Sequence, residues 1–516
     1  MKISHPYPFN VTNTFIVKKV EDAVNSFFGE WIEKLAAKPI LLAEMETAAT
    51  EAGRELTRLL LAGTLAAKSV QEGIATAANQ VRAEFDKPLR KVADRIVNVQ
   101  FQCNMTIGIT SQYCVPRKSH GRSSHARRGK EGAGIYLETA ALGILEGQSP
   151  GLRSEVSRTA VLLPSIDLTT QEMKRAGVEL DEKSVHATLI VTALSALAAR
   201  SELLEQWRKG ALAQEQTLAG KRVVVGIDAG KARSREAKRG KKGPTGRSRF
   251  FTEWRDVKIM TIYVINDRGR IDRSFEPVIE VTFLSADHLL ELVSMHLYRL
   301  GAKNALKVHF VGDGADWIWD RVGLAAFRAG LSRNQWTAAI DFYHVMEQLN
   351  QALLSVPGWD DKTRKRERSK LRKWLLNQQI DDTIAFLRRI SKRSNAKVIE
   401  GRIAYLERRR DLMEYRKLHR THWPIGSGAV ESAVRRVINL RIKAPGSFWK
   451  LEYAEGVAYL RAQALTGRWD ELMSNLAKRA CRSRSKSWKW EATPCSCMDP
   501  INLQVARDQD LALLIR

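Results

Sequence analysis

The sequence predicts an α/β catalytic domain that carries a helical insertion and follows mostly α-helical N-terminal domains. Three observations lead there. Residues 223–340 hold five β-branched runs with helical patterns between the later ones, residues 346–421 read as a basic helical stretch, and residues 1–97 are rich in Ala, Leu and Glu at helical spacing. At 516 residues, 44% hydrophobic and 27% charged, the chain is long enough for about three domains, and a disordered or fibrous protein is excluded.

Taken in order, residues 1–100 form a helical N-terminal segment, nearly neutral overall: residues 1–97 carry 13 basic and 12 acidic side chains. Residues 101–135 form a basic linker or degenerate zinc-ribbon-like region. Cys103, Cys114, His120 and His125 lie there, but structural zinc sites show tight pairs such as C-x2-C, and the region has none, so zinc is not expected. Residues 136–215 carry three helical patterns, 152–163, 169–176 and 181–197, with Thr169 and Asp181 as N-caps and Gly177 at a turn. That spacing resembles a DNA-binding helix-turn-helix; a plain helical bundle has the same pattern.

From Val223 the period changes to that of strands. The run 223–227 ends in Asp228 and Gly230, a second strand spans 257–265 and closes on the turn Asn266-Asp267-Arg268-Gly269, and a third spans 277–284. A helix over 286–300 leads to a fourth strand, 307–311, ending in Gly312-Asp313-Gly314. A further helix leads to a fifth strand, 336–340, that ends in Asp341 and enters a helix containing His344. The order β-β-β-α-β-α-β-α is the plan of the ribonuclease H-like fold. Residues 216–345 are thus the first part of a catalytic core, 346–421 its insertion, 422–475 its second part, and 476–516 a basic tail.

Charge points to the partner. Lys plus Arg number 84 against 57 Asp plus Glu, a net charge of +27, which calls for a polyanion. Residues 362–420 alone hold 20 basic and 7 acidic residues, among them Arg364, Lys365, Arg366 and Arg368. A solvated helical face is the bland reading of such a run, but this surplus exceeds what solubility needs and suits phosphate tracking. Residues 231–249 hold nine basic residues, including Lys231, Arg233, Arg239, Lys241 and Lys242, against Glu236, and read as a flexible basic loop. The tail interleaves Lys478, Arg479, Arg482, Arg484, Lys486 and Lys489 with Trp488 and Trp490, a pattern suited to backbone contacts plus stacking and also common in a plain basic tail. The longest uncharged apolar stretch, 187–199, falls short of a bilayer span, and five scattered cysteines fit a reducing compartment, so a cytoplasmic protein with no membrane partner is expected.

In an open α/β sheet ligands bind at the C-terminal ends of parallel strands, where Asp228 and Asp313 fall. Two such carboxylates and a glutamate from a downstream helix supply ligands for two Mg²⁺ (or Mn²⁺) ions in phosphoryl transfer. Glu431 is the natural glutamate: it lies in the first turns of a helix opened by His422-Trp423-Pro424-Ile425-Gly426-Ser427-Gly428, with Arg435 and Arg436 one turn on and Lys443 beyond, all three expected to face phosphate. Its bland reading is an i,i+4 pair with Arg435.

The blocks GIDAGKARSR, HFVGDGADWIWDRV, AIDFYHVMEQLNQAL and WPIGSGAVESAVRRVINLRIK, followed by FWKLEYAEGVAYLRA, resemble the DDE transposases of bacterial insertion sequences, especially the Kra-type branch, over about residues 132–470. The resemblance implies that Asp228, Asp313 and Glu431 are the catalytic and metal-binding trio. It implies a supporting D-x-x-H element at Asp341 and His344, and a helical insertion in the 118-residue gap from Asp313 to Glu431. It also implies that transposon terminal inverted repeats and target DNA, both double-stranded, are the partners, with a homo-oligomer as the active complex associated with the nucleoid. The paired cysteines that family members carry upstream are absent here, and residues 1–97 have no counterpart.

Two rival readings remain. One is a domesticated, catalytically inactive DNA-binding regulator, in which the aspartates are turn formers. The other is an actin-like or sugar-kinase-type ATPase, whose phosphate-binding D-x-G hairpin Ile227-Asp228-Ala229-Gly230 resembles.

Overall fold

The computed structural model describes residues 42–85, 88–116, 134–238, 240–241, 243, 249–392 and 396–480, with a few positions between 18 and 33. His120, His125, Arg239, Lys242, and the tail cysteines and tryptophans fall outside the described residues. The described residues divide into two units, one of those up to 199 together with 469–480, the other of those from 200 to 468.

In the first unit, helices Leu42–Ala66 and Lys68–Ala83 precede strands β1 (Leu89–Phe101) and β2 (Met105–Pro116). The strands pair antiparallel from Phe101↔Met105 to Leu89↔Pro116, and a short β3 (Ile135–Tyr136) adds to β2. The helical expectation for 1–100 and the linker expectation for 101–135 are therefore corrected over 89–116. The reason is visible in the side chains: Val97, Val99 and Phe101, then Met105, Ile107 and Ile109, alternate with a period of two and bury one face of the hairpin around Ile144. Asn104 takes a left-handed φ of 55° at the turn. Cys114 is buried beside Ala78, Val81, Leu89, Leu137 and Ala140, and burial raises its thiol pKa, as it does that of half-buried Cys103.

The three helices expected over 152–197 are present as Pro150–Leu162, Ile166–Arg175 and Glu182–Arg208. Their caps are Ser149, Ser165 and Asp181, accepting from the amides of Leu152, Leu168 and Ser184. Ser165 rather than Thr169 caps the second, because Thr169 is buried inside it and bonds back to the Ser165 carbonyl. Gly177 makes the turn at φ +83°. Leu152, Val156, Met173, Val178 and Val185 close this bundle. The third helix is longer than its apolar stretch and, by length and composition, could cross a membrane. However, 56% of that apolar window is buried inside the protein, as in the core helix of a soluble protein. Its centre is buried from Thr188 to Ile190 and again at Ala196–Ala198, while Glu182, Lys183 and Ala187 near its start are exposed. Helix Trp469–Ala480, expected to straddle the end of the catalytic core, belongs to this first unit, where Trp469 donates to the Ser154 hydroxyl at 2.9 Å.

The second unit is α/β. Its sheet contains β4 (Arg222–Ala237), β5 (Phe250–Ile265), β6 (Val278–Thr282), β7 (Lys307–Gly312) and β8 (Trp336–Ile340), in the order β6-β5-β4-β7-β8. The β4, β5 and β6 strands form an antiparallel meander, and β7 and β8 join β4 in parallel. The five expected strands are present, but β4 and β5 are far longer than expected, so Lys231, Arg233 and Arg235 lie in a paired ladder running to Ala237↔Phe250 instead of a loop. On β4, Val223, Val225 and Ile227 face helices Ala286–Arg299 and Asp316–Arg328, which fill that side with Leu289, Val293, Leu297, Ile318 and Val322. The opposite side carries Val224 against Val311, Tyr263, Trp423 and Ala429. Helices Asp361–Leu376, Ile380–Ser391, Ala396–Arg408 and Tyr415–Arg420 lie between β8 and the returning chain, and they form their own core with helix Phe342–Leu354 around Leu371, Leu387 and Leu406.

One buried polar network holds β6. Arg200 bonds Glu280 at 3.2 Å, the Val281 carbonyl at 2.9 Å, and Glu455. Glu455 also accepts from Thr282 and the Phe283 amide, and His296 sits 2.8 Å from Glu280. Burial alone would raise the Glu280 carboxyl, but His296 and Arg200 hold it below its ordinary value, while burial keeps the His296 imidazole below its own. Removing one member leaves buried carboxylates uncompensated. Arg200→Met is expected to lower the stability of the second unit by about 3–5 kcal/mol in urea unfolding; a loss under about 1 kcal/mol would mean the network is not the tie described.

Candidate active site

The last paired row across the parallel strands is Ile227↔Gly312 and Gly312↔Ile340. The next residue on each strand is an aspartate: Asp228, Asp313 and Asp341. Asp228 was expected at a strand end. It is instead inside β4, which continues antiparallel to β5, and it sits at the level where its parallel neighbour β7 stops. Because side chains alternate, Asp228 faces the same side as Gly226 and Gly230. A Cβ on Gly226 would lie 3.1 Å from the Val430 Cβ, and one on Gly230 would lie 3.3 Å from the Val434 Cγ1. The two glycines thus let the helix bearing Glu431, between those valines, lie against the strand at Asp228. That helix starts as Gly428–Ala433 and continues as nine π-helical residues, Val434–Ile442, a rare geometry often found at functional sites.

The three acids act on one another. Burial raises the Asp228 carboxyl to about 6, the nearby charges of Asp313 and Glu431 push in the same direction, and the Ala229 amide and His344 oppose it. Asp228 Oδ1 accepts from the Ala229 amide at 2.7 Å; Asp313 Oδ1 accepts from the Ala315 amide at 3.0 Å, and its carbonyl takes the Trp319 indole at 2.7 Å. Asp313 is therefore also the turn former that its strand-end position allows. Glu431 is exposed, and its partner is Ser427, whose hydroxyl lies 3.0 Å away, rather than Arg435.

Asp341 has a different job. It is buried, with Oδ1 capping helix Phe342–Leu354 through the amides of Tyr343 at 2.5 Å and His344 at 3.1 Å. Its Oδ2 accepts from the Ser427 amide at 2.6 Å and from the Ser427 hydroxyl, and its own amide donates to the Gly312 carbonyl at 2.7 Å. One carboxylate thus joins the end of β7, the His344 helix and the entry to the Glu431 helix. Gly426 lies close beside it: a Cβ there would meet the exposed Tyr343 ring at 2.9 Å and displace it. The sequence reading missed Ser427; its only signal was a hydroxyl residue before a glycine at a helix start, four positions before an acid.

The other expected contact residues separate by place. Lys231 and Arg233 are on the β4–β5 arm, and Lys241 is exposed beyond it. Arg364 pairs with Asp361 at 3.2 Å and Arg366 with Glu367 at 3.0 Å, so those charges are partly spent within their helix, while Lys365 and Arg368 are exposed. Arg435 and Arg436 are exposed on the π-helix, and Lys443 stands over the Trp254 ring at 5.5 Å.

Among the described residues no group of three or more His, Cys, Asp or Glu side chains is drawn together tightly enough to enclose an ion. The donor chemistry nevertheless fits a hard divalent cation, which needs only one or two protein carboxylates plus phosphate oxygens, and the mutual repulsion felt at Asp228 is what a cation would relieve.

The raised Asp228 carboxyl has a stability consequence in metal-free protein. Its folded value, about 6, lies above the ordinary 3.8, so the folded state holds a proton that the unfolded chain releases, and stability falls as pH rises from about 4 to about 6. Asp228→Asn is expected to remove that fall and to stabilise the metal-free protein at neutral pH by up to about 3 kcal/mol, with no gain at pH 4. Thermal unfolding across this range checks it; identical pH profiles for the two proteins would refute the raised Asp228 carboxyl.

Comparison of the chain with family models, with curated proteins and with solved structures gives no match.

Proposed function

We propose that the protein is a DDE-type DNA transposase that cleaves transposon ends and joins the resulting 3′-OH to target DNA. The observation that carries the reading is the alignment of Asp228 and Asp313 just past the Ile227↔Gly312 row, with Glu431 brought against the same strand by the Gly226 and Gly230 contacts. A meander of three antiparallel strands extended by two parallel ones, with the acids at the switch from one to the other, supports a ribonuclease H-like core. The net charge of +27 supports a DNA partner, and the work is assigned to an oligomer of this chain on nucleoid DNA in the cytoplasm.

Asp228, Asp313 and Glu431 are the residues that would hold Mg²⁺ or Mn²⁺; two such ions, when bound, supply activation of the attacking oxygen and stabilisation of the leaving one. The chain's own share is positional. Asp341 and Ser427 fix where Glu431 stands, His344 offsets part of the acids' charge on Asp228, and Arg435 and Arg436 offer donors to phosphate. In the first step water displaces one phosphodiester oxygen, leaving a 3′-OH; in the second that 3′-OH attacks a target phosphodiester and expels a target 3′-oxygen. No covalent protein intermediate is involved.

The inactive-regulator reading has its own support in the turn bond that Asp313 makes and in the open arrangement of the acids. The kinase-like reading has less, because β4 runs on for seven residues beyond Gly230 and Gly230 packs toward Val434, leaving no phosphate-cradling turn after Asp228.

Incubation with a labelled terminal-repeat duplex and Mg²⁺ separates the three. Nicking is expected, falling about 10³-fold in Asp228→Asn, Asp313→Asn or Glu431→Gln if each costs some 4 kcal/mol of transition-state stabilisation, with duplex binding retained. Binding without nicking by the parent protein would establish the regulator, and ATP turnover the kinase. Loss of nicking in Asp341→Asn with full activity in Asp313→Asn would show that the second acid is misassigned.

A further inference from the structure

Beyond the catalytic acids, β4 and β5 extend as a two-stranded arm, residues 231–237 paired with 250–256, past the ends of β6 and β7. Its two faces differ in kind. One carries Glu236, Glu253 and Arg255, whose guanidinium bonds both carboxylates, at 2.8 and 2.7 Å, so that face satisfies its own charges and its exposed ring, Phe251, has acids rather than free cations beside it. The other carries Arg233, Arg235, Phe250 and Trp254, with Lys231 paired opposite Asp256 at its base.

On this second face the aromatic rings are open to solvent: Trp254 is 54% exposed and Phe250 44%. Cations already flank them. Arg233 lies 5.7 Å from the Trp254 ring and 5.2 Å from that of Phe448, Lys443 lies 5.5 Å from Trp254, and Arg235 lies 6.0 Å from Phe250. Phe448 joins because the Trp449 carbonyl accepts from the Arg235 amide at 2.7 Å, which extends the arm's edge, and its ring is 5.6 Å from Phe250. Cross-strand stability alone does not call for two large rings left half-exposed beneath a cluster of cations.

We propose that this face binds unpaired DNA bases, Trp254 and Phe250 stacking on base faces while Arg233, Arg235 and Lys443 take the adjoining phosphates. The occupant follows from complementarity. Four cations against Asp256 select a polyanion, and half-exposed rings that these cations already overlie select a polyanion whose own rings can stack there as its phosphates draw the cations aside. In an intact duplex the base faces are covered by neighbouring pairs, so a platform of this kind discriminates for a frayed or single strand. The inference rests on the transposase reading for its setting, since cutting an end yields a strand free to unpair; by strand alternation the platform lies on the face of the β4–β5 ribbon opposite to Asp228, so the unpaired strand would pass round the ribbon edge.

The test uses the full chain with Ca²⁺ in place of Mg²⁺, so that binding is read without cleavage and independently of whether the acids are catalytic. A mixed-sequence single strand and the duplex of the same sequence are compared by fluorescence anisotropy, with thermal unfolding checked for each variant. In Phe250→Ala/Trp254→Ala, single-strand affinity is expected to fall about tenfold or more while duplex affinity changes less than about twofold, and Trp254→Phe is expected to keep most of the parent's preference. Equal losses for both DNAs, no loss for either, or dissociation of an oligomer by the double variant in sedimentation with unchanged DNA binding would each overturn the proposal. Failure of nicking in the parent would sink the enzyme reading and leave this measurement standing.

Discussion

The second unit depends on the Asp341 carboxylate. With one oxygen it caps the helix after β8, with the other it holds Ser427, and its amide fastens β8 to the end of β7. A buried carboxylate accepting several amide bonds costs a large desolvation penalty unless every bond is made, so the arrangement is all or nothing. Seams on either side reinforce it. The Phe342 amide donates to the Ile425 carbonyl, His309 bonds the Pro424 carbonyl at 3.0 Å, and Arg222 reaches the carbonyls of Thr421 and His422 while lying over the Trp423 ring. A chain that leaves the sheet at Ile340 and returns after an 80-residue helical excursion is thereby placed to within one residue.

Glu431 inherits its position from that clasp. Ser427 Oγ stands within bonding reach of both Asp341 and Glu431, and its single proton serves one at a time. Packing completes the arrangement: Val430 and Val434 fit over two glycines of β4, and the turn geometry widens to π-helix directly afterwards. Burial raises the Asp228 carboxyl, and the charges of Asp313 and Glu431 add to that rise, yet among the described residues the acids are not closed into a cage. Scaffold rigidity and an incomplete ligand set are compatible when phosphate oxygens supply the remaining ligands.

How much of this was legible in the sequence depended on the range of the interaction. Strands 307–312 and 336–340 and the turn at 266–269 follow from local period and turn chemistry, and the structure places them almost where those signals lie. The strand at 89–101 was hidden because only its second half alternates cleanly; its first half, Leu89-Arg90-Lys91-Val92-Ala93-Asp94, has exposed positions that any element would tolerate. The arm at 231–237 was hidden for a related reason: basic residues and glycines read as loop, whereas cross-strand pairing and aromatic cover decide the matter. The acids themselves were identifiable by type and order, but the common level of Asp228, Asp313 and Asp341 and the role of Ser427 come from sheet register and from a contact across 86 residues, which no local pattern encodes.

The claim that one divalent-ion environment is built by three distant segments is most directly tested by loading the protein with Fe²⁺ in place of Mg²⁺ and mapping peroxide-driven backbone cleavage. Hydroxyl radicals act close to the ion, so the account predicts cuts beside residues 228, 313 and 431 together, suppressed by excess Mg²⁺ and lost at all three places in Asp228→Asn. Cuts confined to a single segment, or clustered around residue 341 with none near 431, would contradict it.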